Sequence, residues 1–384
     1  MKNLIYKEID TYMDDLVQIS KKLYDEPELS GEEYKSSELV AAAISRHGFG
    51  VEKGIYNIDT AFRAEYDSKK DGITVAFFCE YDALPGVGHG CGHNLISAIS
   101  IGAAIGLKSV IDQIGGRILV FGTPAEETSG VKVQLAEYGA FKGVDFAMMV
   151  HPNPVTEASG SSLALDALKF QFRGKAAHAA QAPEKGINAL DAVLLMYNGI
   201  NALRQHLPSD VKILGIISHG GEAPNVVPEY AEAKFYIRSA ERKYLSTVKE
   251  KVLDCARGAA LMTGAKLEVS NFENSYDNMK TNRVLSELFN TNLRELGETD
   301  INPPGAGIGS IDMGNVSQVV PSIHPWVGIG NAGLVLHTRE FAESTVTDKG
   351  RALLCKGACA MAATALDVMQ SKVLQEKIHK EFMS

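Results

Sequence analysis

Three runs of this chain leave little freedom of fold. ITVAFFCEYDAL (from Ile73), RILVFGTPAEE (from Arg117) and VDFAMMVHP (from Val144) are apolar through their length and end on polar residues. Short, continuously apolar runs fit strands buried on both faces. Helical stretches separate them, NLISAISIGAAIGLKSVIDQI and VKVQLAEYGAF. Buried strands alternating with helices predict an α/β domain with a mostly parallel sheet between helices. In such sheets ligands bind in the crevice beyond the carboxyl ends of the strands. Glu80 and Asp82, Glu126 and Glu127, and His151 stand at the three ends.

The rhythm changes from about residue 163. ALKFQFR alternates strictly, with Leu168, Phe170 and Phe172 on one face and Lys169, Gln171 and Arg173 on the other. A helix follows, with Leu190, Val193, Leu194, Tyr197 and Leu207 at helical spacing. Next come the strands VKILGIIS and AEAKFYIR, a helix carrying Leu245, Val248 and Val252, and the strand AKLEVSNF. The order β-α-β-β-α-β is that of a ferredoxin-like α+β unit. Residues 163–275 are therefore expected to form an inserted domain within a larger one built from 1–162 and 276–384. The first fifty residues read as two helices, KEIDTYMDDLVQISKKLYD and GEEYKSSELVAAAISRHG, parted at Pro27.

Composition narrows the function classes. A net charge of -9 over 384 residues argues against a nucleic-acid binder, which would carry a basic patch. The charged amino terminus has no apolar core of a secretory signal, and no run of about 18 apolar residues suggests a membrane span. Five scattered cysteines fit reduced thiols and the cytoplasm. Cys355 and Cys359, four apart on a helical run, read as buried core thiols.

GVGHGCGHN, residues 86–94, puts metal-ligand residues between glycines. In an extended or loop segment, residues two apart project to one side, so Cys91 and His93 can face one centre. Taken singly, each candidate has an ordinary reading: a buried thiol, a solvated glutamate pair at a helix start, a satisfied strand-end histidine. Together, Cys91, His93, Glu127, His151 and His337 come from four segments and are too many for one tetrahedral ion. They suit two ions sharing ligands and a water. Two divalent ions less one thiolate and one carboxylate leave about +2, enough to acidify water and to stabilise an oxyanion. A second carboxylate on the same bend, Glu126, can serve as general base. The chemistry this predicts is hydrolysis of an amide. The segment PPGAGIGSIDMGN, from Pro303, lacks a GxGxxG or P-loop lysine and is expected to be a mobile loop near the site without a nucleotide role.

EPELSGEE, CEYDALPGVGHGCGHN, GTPAEETSG, the His151 strand end, GKAAHAAQAPEKGINALDA, NVVPEYAEAKFYIR and LHTREFAE resemble, in order, the dinuclear metallopeptidase family of aminoacylases and glutamate carboxypeptidases. The nearest branch is that of amidohydrolases cleaving auxin conjugates, N-acyl amino acids and p-aminobenzoyl-glutamate. The likeness implies a zinc-exopeptidase-like catalytic domain with the inserted unit as lid and dimerisation domain. It makes Cys91, His93, Glu127, His151 and His337 the ligands of two divalent ions, most simply Zn2+ with Mn2+ as the alternative. It makes Glu126 the general base and Asp82 the carboxylate that orients a ligand. Glu80 stands where the wider family has a histidine ligand and is not counted as one, nor is His89. His178 matches a lid histidine that, in relatives, reaches the site of the partner copy and steadies the oxyanion. Asn225 and Arg238 match substrate-binding lid positions. Asn94 replaces an aspartate common in the branch, a change shared with p-aminobenzoyl-glutamate and small-dipeptide hydrolases.

The expected activity is hydrolysis of a small amide or peptide bond in an N-acyl amino acid, an aminobenzoyl-glutamate-like compound or a dipeptide. The expected assembly is a homodimer or homotetramer through the lid. The alternatives are a dipeptidase or aminopeptidase that needs a free amine, and a catalytically silent metal- or ligand-binding protein.

Overall fold

A computed structural model describes residues 1–305, 307 and 309–384. The chain forms two compact units, one of Met1–Ser161, Met279–Gly307 and Asn315–Ser384, the other of Ser162–Asn278 with residues 309–314. Of the glycine-rich segment expected to be a loop, Ala306 and Ile308 lie outside the described residues, and its end enters the helix Met313–Val319.

The first unit is built on β1 (Gly50–Lys53), β2 (Phe62–Asp67), β3 (Thr74–Cys79), α1 (His93–Ile114), β4 (Arg117–Gly122) and β5 (Phe146–Met148). Its sheet runs in the order Ser322–Ile323, β5, β3, β4, β2, β1. The first four strands are parallel, and β2 and β1 close one edge antiparallel. The three apolar runs are thus its central parallel strands. Alternation persists inside them: Val75, Phe77 and Cys79 join the main core, and Phe78 turns to the other face against Phe121 and Phe141.

α1 and the helix Asp348–Met369 have the length and mean hydropathy of a membrane span, although neither is an unbroken apolar run. They pack on one another inside this unit, since a helix apolar on all sides must be covered. The first predicted helix is two, Lys2–Thr11 and Met13–Asp25, broken at Tyr12, whose ring meets His47 edge-on at 4.6 Å.

The second unit has the β-α-β-β-α-β order read from the sequence: β6 (Ala164–Arg173), α2 (Ala189–Arg204), β7 (Lys212–His219), β8 (Tyr230–Ser239), α3 (Arg242–Thr263) and β9 (Lys266–Asn271). The antiparallel sheet runs β7-β8-β6-β9. Leu168, Phe170 and Phe172 pack with Val193, Met196, Leu245, Val248 and Val252. Leu194, expected on the buried face of α2, is instead 44% exposed. The apolar stripe follows Met196 and Ile200 rather than Leu194. Edge strand β7 exposes Leu214, Ile216 and Ile217.

Candidate metal centre

The glycine ribs of residues 86–94 have a steric reason. A Cβ on Gly90 would lie 2.6 Å from Val87 Cγ1 and 3.2 Å from the Cα of His337. Its absence lets a segment almost 250 residues away close on the loop, where the His337 amide donates to the Gly90 carbonyl at 2.8 Å. Gly92, at φ +81, turns the chain into α1, so His93 is the first helical residue. Cys91 and His93 therefore converge across a helix start rather than along an extended segment. His337 itself sits at φ +65, a strained backbone for a residue with a Cβ.

Among the described residues three groups of ligand-type side chains have atoms within 4.8 Å of one another: Cys91, His93 and His151; Cys91, Glu127 and His337; and His93, Glu126 and Glu127. Shared members join them into one patch. Cys91 Sγ lies 3.5 Å from His151 Nε2, and His337 Nε2 lies 3.6 Å from Glu127 Oε1. Two ligands on one tetrahedral zinc, at ordinary bond lengths, stand about 3.3–3.6 Å apart. His93 Nε2 and Glu127 Oε1 are buried without a hydrogen-bond partner. A bound cation would satisfy both atoms, so the residues present fit a metal pair.

Behind the patch lies a buried polar shell. Asp82 Oδ1 is 2.8 Å from His93 Nδ1, which therefore carries the proton and leaves Nε2 to face the cluster. Ser30 Oγ and the Glu127 amide donate to Asp82 Oδ2 at 2.8 and 2.9 Å. Although burial works the other way, His93 and these bonds hold Asp82 down at about 2. Burial also opposes a charged His93, yet the Asp82 and Glu80 carboxylates push its pKa well above the ordinary value. Burial, then His324 and His93, drive His151 well below it. The Cys91 thiol is raised by burial, so a cation is what would make it a thiolate.

Several residues of this site escaped the sequence reading. Lys132, fully buried, pairs with Glu80 Oε1 at 2.6 Å, and Glu80 Oε2 lies 3.3 Å from His93 Nε2. In VKVQL that lysine looks like any exposed helix-start cation; only its burial distinguishes it. Glu33, buried, accepts the Ala125 amide at 2.7 Å. Its motif EPELSGEE was visible, but its role was not. His324 and Trp326 stand against the His151 ring at centroid distances of 5.4 and 4.3 Å. His89 is buried and in none of the three groups. Asn94 faces the protein interior, its amide donating to Ser20 Oγ at 2.9 Å and Thr345 Oγ1 at 3.0 Å.

In the second unit, His178 is exposed and bridges Val226, and the Ala179 amide donates to the Asn225 carbonyl at 3.0 Å. His178 and Asn225 thus lie on adjoining segments. Its Nδ1 accepts the Ala180 and Gln181 amides at 3.3 and 3.2 Å, leaving Nε2 as the outward nitrogen. Arg238 lies on β8 opposite Leu165 and Lys212, with its guanidinium 5.7 Å from the Tyr236 ring.

Comparison with known proteins agrees with this architecture. Residues 165–261 match the model of a peptidase dimerisation domain. The chain is 36% identical to an Xaa-Arg dipeptidase of Mus musculus, an alignment covering 100% of this chain and 92% of the relative. It is 33% identical to one of the p-aminobenzoyl-glutamate hydrolase polypeptides of Escherichia coli (strain K12), covering 77% and 67%. Among solved structures it resembles an aminobenzoyl-glutamate utilization protein from Klebsiella pneumoniae (TM-score 0.75, 19% identity, 95% and 98% covered). It also resembles a dinuclear metal-binding peptidase of the M20 family from Bacillus subtilis (TM-score 0.68, 19% identity, 94% and 99% covered).

Proposed function

Because this chain belongs to the M20 family of metallopeptidases, and is accordingly a metal-dependent hydrolase of amide or peptide bonds, we propose that it is a dipeptidase acting on dipeptides with a basic carboxy-terminal residue. The 36% identity to an Xaa-Arg dipeptidase over the full chain favours this substrate. Aminobenzoyl-glutamate-like amides are the second reading, from the lower identity to the E. coli relative.

The observation that carries the chemistry is the convergence of Cys91, His93, Glu127, His151 and His337 beside Glu126. The five are the ligands in this reading, and zinc is the metal: one thiolate and three imidazoles suit it, with manganese the harder alternative. Two such ions, when bound, supply Lewis acidity that brings the pKa of water from about 15.7 toward 7. Asp82 keeps His93 in the tautomer that presents Nε2. Glu126 takes the proton from the attacking water and returns it to the leaving nitrogen. His178 donates to the oxyanion from the partner copy of a homodimer, and Asn225 and Arg238 hold the substrate, Arg238 through its carboxylate.

The catalytic role falls to 1–162 and 276–384, and the lid and dimerisation role to 163–275. The dimer forms through β7, whose exposed apolar residues and unpaired edge invite a second copy. All five cysteines are free, which suits the cytoplasm. Turnover by the zinc-loaded enzyme is measured on dipeptides ending in Arg, Lys, Glu and Leu, on acyl amino acids and on p-aminobenzoyl-glutamate, each with and without chelator. Preference for the basic dipeptides, abolished by chelator, is expected. Preference for the glutamate amide would favour the second reading, and no turnover at all would make the site a silent binder.

A further inference from the structure

The turn that carries Glu126 cannot hold its shape unaided. Ala125 stands at φ +59, in the left-handed region where a Cβ crowds the backbone. Such a conformation persists where its surroundings over-determine it. The amides on either side of Glu126 are each tied to a buried carboxylate from another segment. Ala125 N donates to Glu33 Oε1 at 2.7 Å, and Glu127 N donates to Asp82 Oδ2 at 2.9 Å. Gly130 N closes the bend onto the Ala125 carbonyl at 2.7 Å. Asp82 has a second task at His93. Glu33 is fully buried, and although it stands at the start of the helix Tyr34–Arg46, its side chain does not cap that helix.

We propose that Glu33 is a positioning residue for the hydrolysis: by accepting the Ala125 amide it fixes the left-handed turn and so the direction in which Glu126 presents its carboxylate. The inference rests on Glu126 being the base. It acts through geometry, and the acceptor oxygen matters more than the charge. A shift of about 1 Å in a catalytic group costs on the order of 10²-fold in rate.

Three variants separate the possibilities. Glu33→Met keeps the volume and removes the acceptor; kcat is expected to fall about 10²-fold, with KM and metal content unchanged. Glu33→Gln keeps a carbonyl acceptor and is expected to restore most of the lost turnover. Glu33→Asp keeps the charge but withdraws the oxygen by one methylene, and is expected to behave like the Met variant. Hydrogen exchange at the Ala125 amide, slow in the wild type and Gln variant and fast in the other two, reads the clamp without turnover. Wild-type kcat in Glu33→Met, or an activity loss explained wholly by lost metal, would overturn the proposal. So would an active Asp variant beside an inactive Gln one, the decisive pair if the Met variant does not fold. A fully active Glu126→Ala enzyme would instead remove the base assignment and leave the exchange result standing.

Discussion

Glu126 and Glu127 are neighbours with different environments. Glu127 Oε1 lies 3.6 Å from His337 Nε2 and 3.9 Å from His93 Nε2, and its own amide is held by Asp82. Glu126 lies 3.9 Å from His93 Nε2, and in the proposed mechanism it is the base and not a ligand. Glu126→Ala is accordingly expected to keep both ions and lose about 10²–10⁴-fold in kcat. Elemental analysis beside steady-state kinetics checks this; a variant that sheds metal would mark Glu126 as a ligand. Glu33 allows a pH test on the metal-free chain. Burial, then the Asp82 charge, raises its pKa from 4.5 to about 7. The folded state thus binds this proton more tightly than the unfolded chain. Its contribution to stability is undiminished below about 4.5, falls as pH rises to about 7, and then levels off. Asp82, depressed from 3.8 to about 2, works the other way, stabilising above 3.8 and losing that as pH falls through about 2. Glu33→Gln lacks the first effect. The difference in unfolding free energy between it and the wild type should shift in the variant's favour by on the order of 3 kcal/mol from pH 4.5 to pH 8. A difference that does not change with pH would mean Glu33 titrates normally.

At the scale of elements, the centre depends on how segments end. β3 and β4 run out into Glu80–Asp82 and the Glu126 turn, α1 begins on His93, and β5 leads to His151. The apolar runs made those strand ends legible. They did not show that His93 opens a helix, because the glycine that turns the chain there reads equally well as loop. Gly90 is the tightest of these joints. Gly90→Ala would press on Val87 and on the His337 backbone. Metal affinity should fall about 10–100-fold at the site that uses His337, as when a group supporting a ligand is displaced. Calorimetric titration of the metal-free chain checks it, and unchanged affinity would show that the loop yields by moving Val87 alone.

At the scale of the whole molecule, the prediction concerns assembly through the lid edge. β7 presents Ile216, 61% exposed, on an uncapped edge. Ile216→Lys should convert a dimer to a monomer by light scattering. Because His178 is assigned to the partner's site, kcat should fall with it by 10-fold or more, of the order that lost oxyanion donors cost. A monomeric variant at full activity would dissociate His178 from catalysis. The sequence by itself determined the two folds and the ligand-type residues, because both are written locally: burial on two faces makes a strand apolar throughout, burial on one makes it alternate, and ligands need particular side chains. Only the tertiary structure decided that Lys132 is a buried partner of Glu80, that Asn94 points inward, that Glu33 holds the Ala125 turn, and that His324 and Trp326 wall His151. Those roles come from which distant segments meet and with what desolvation, and a lysine or glutamate carries the same letter whether it faces water or a carboxylate in the core.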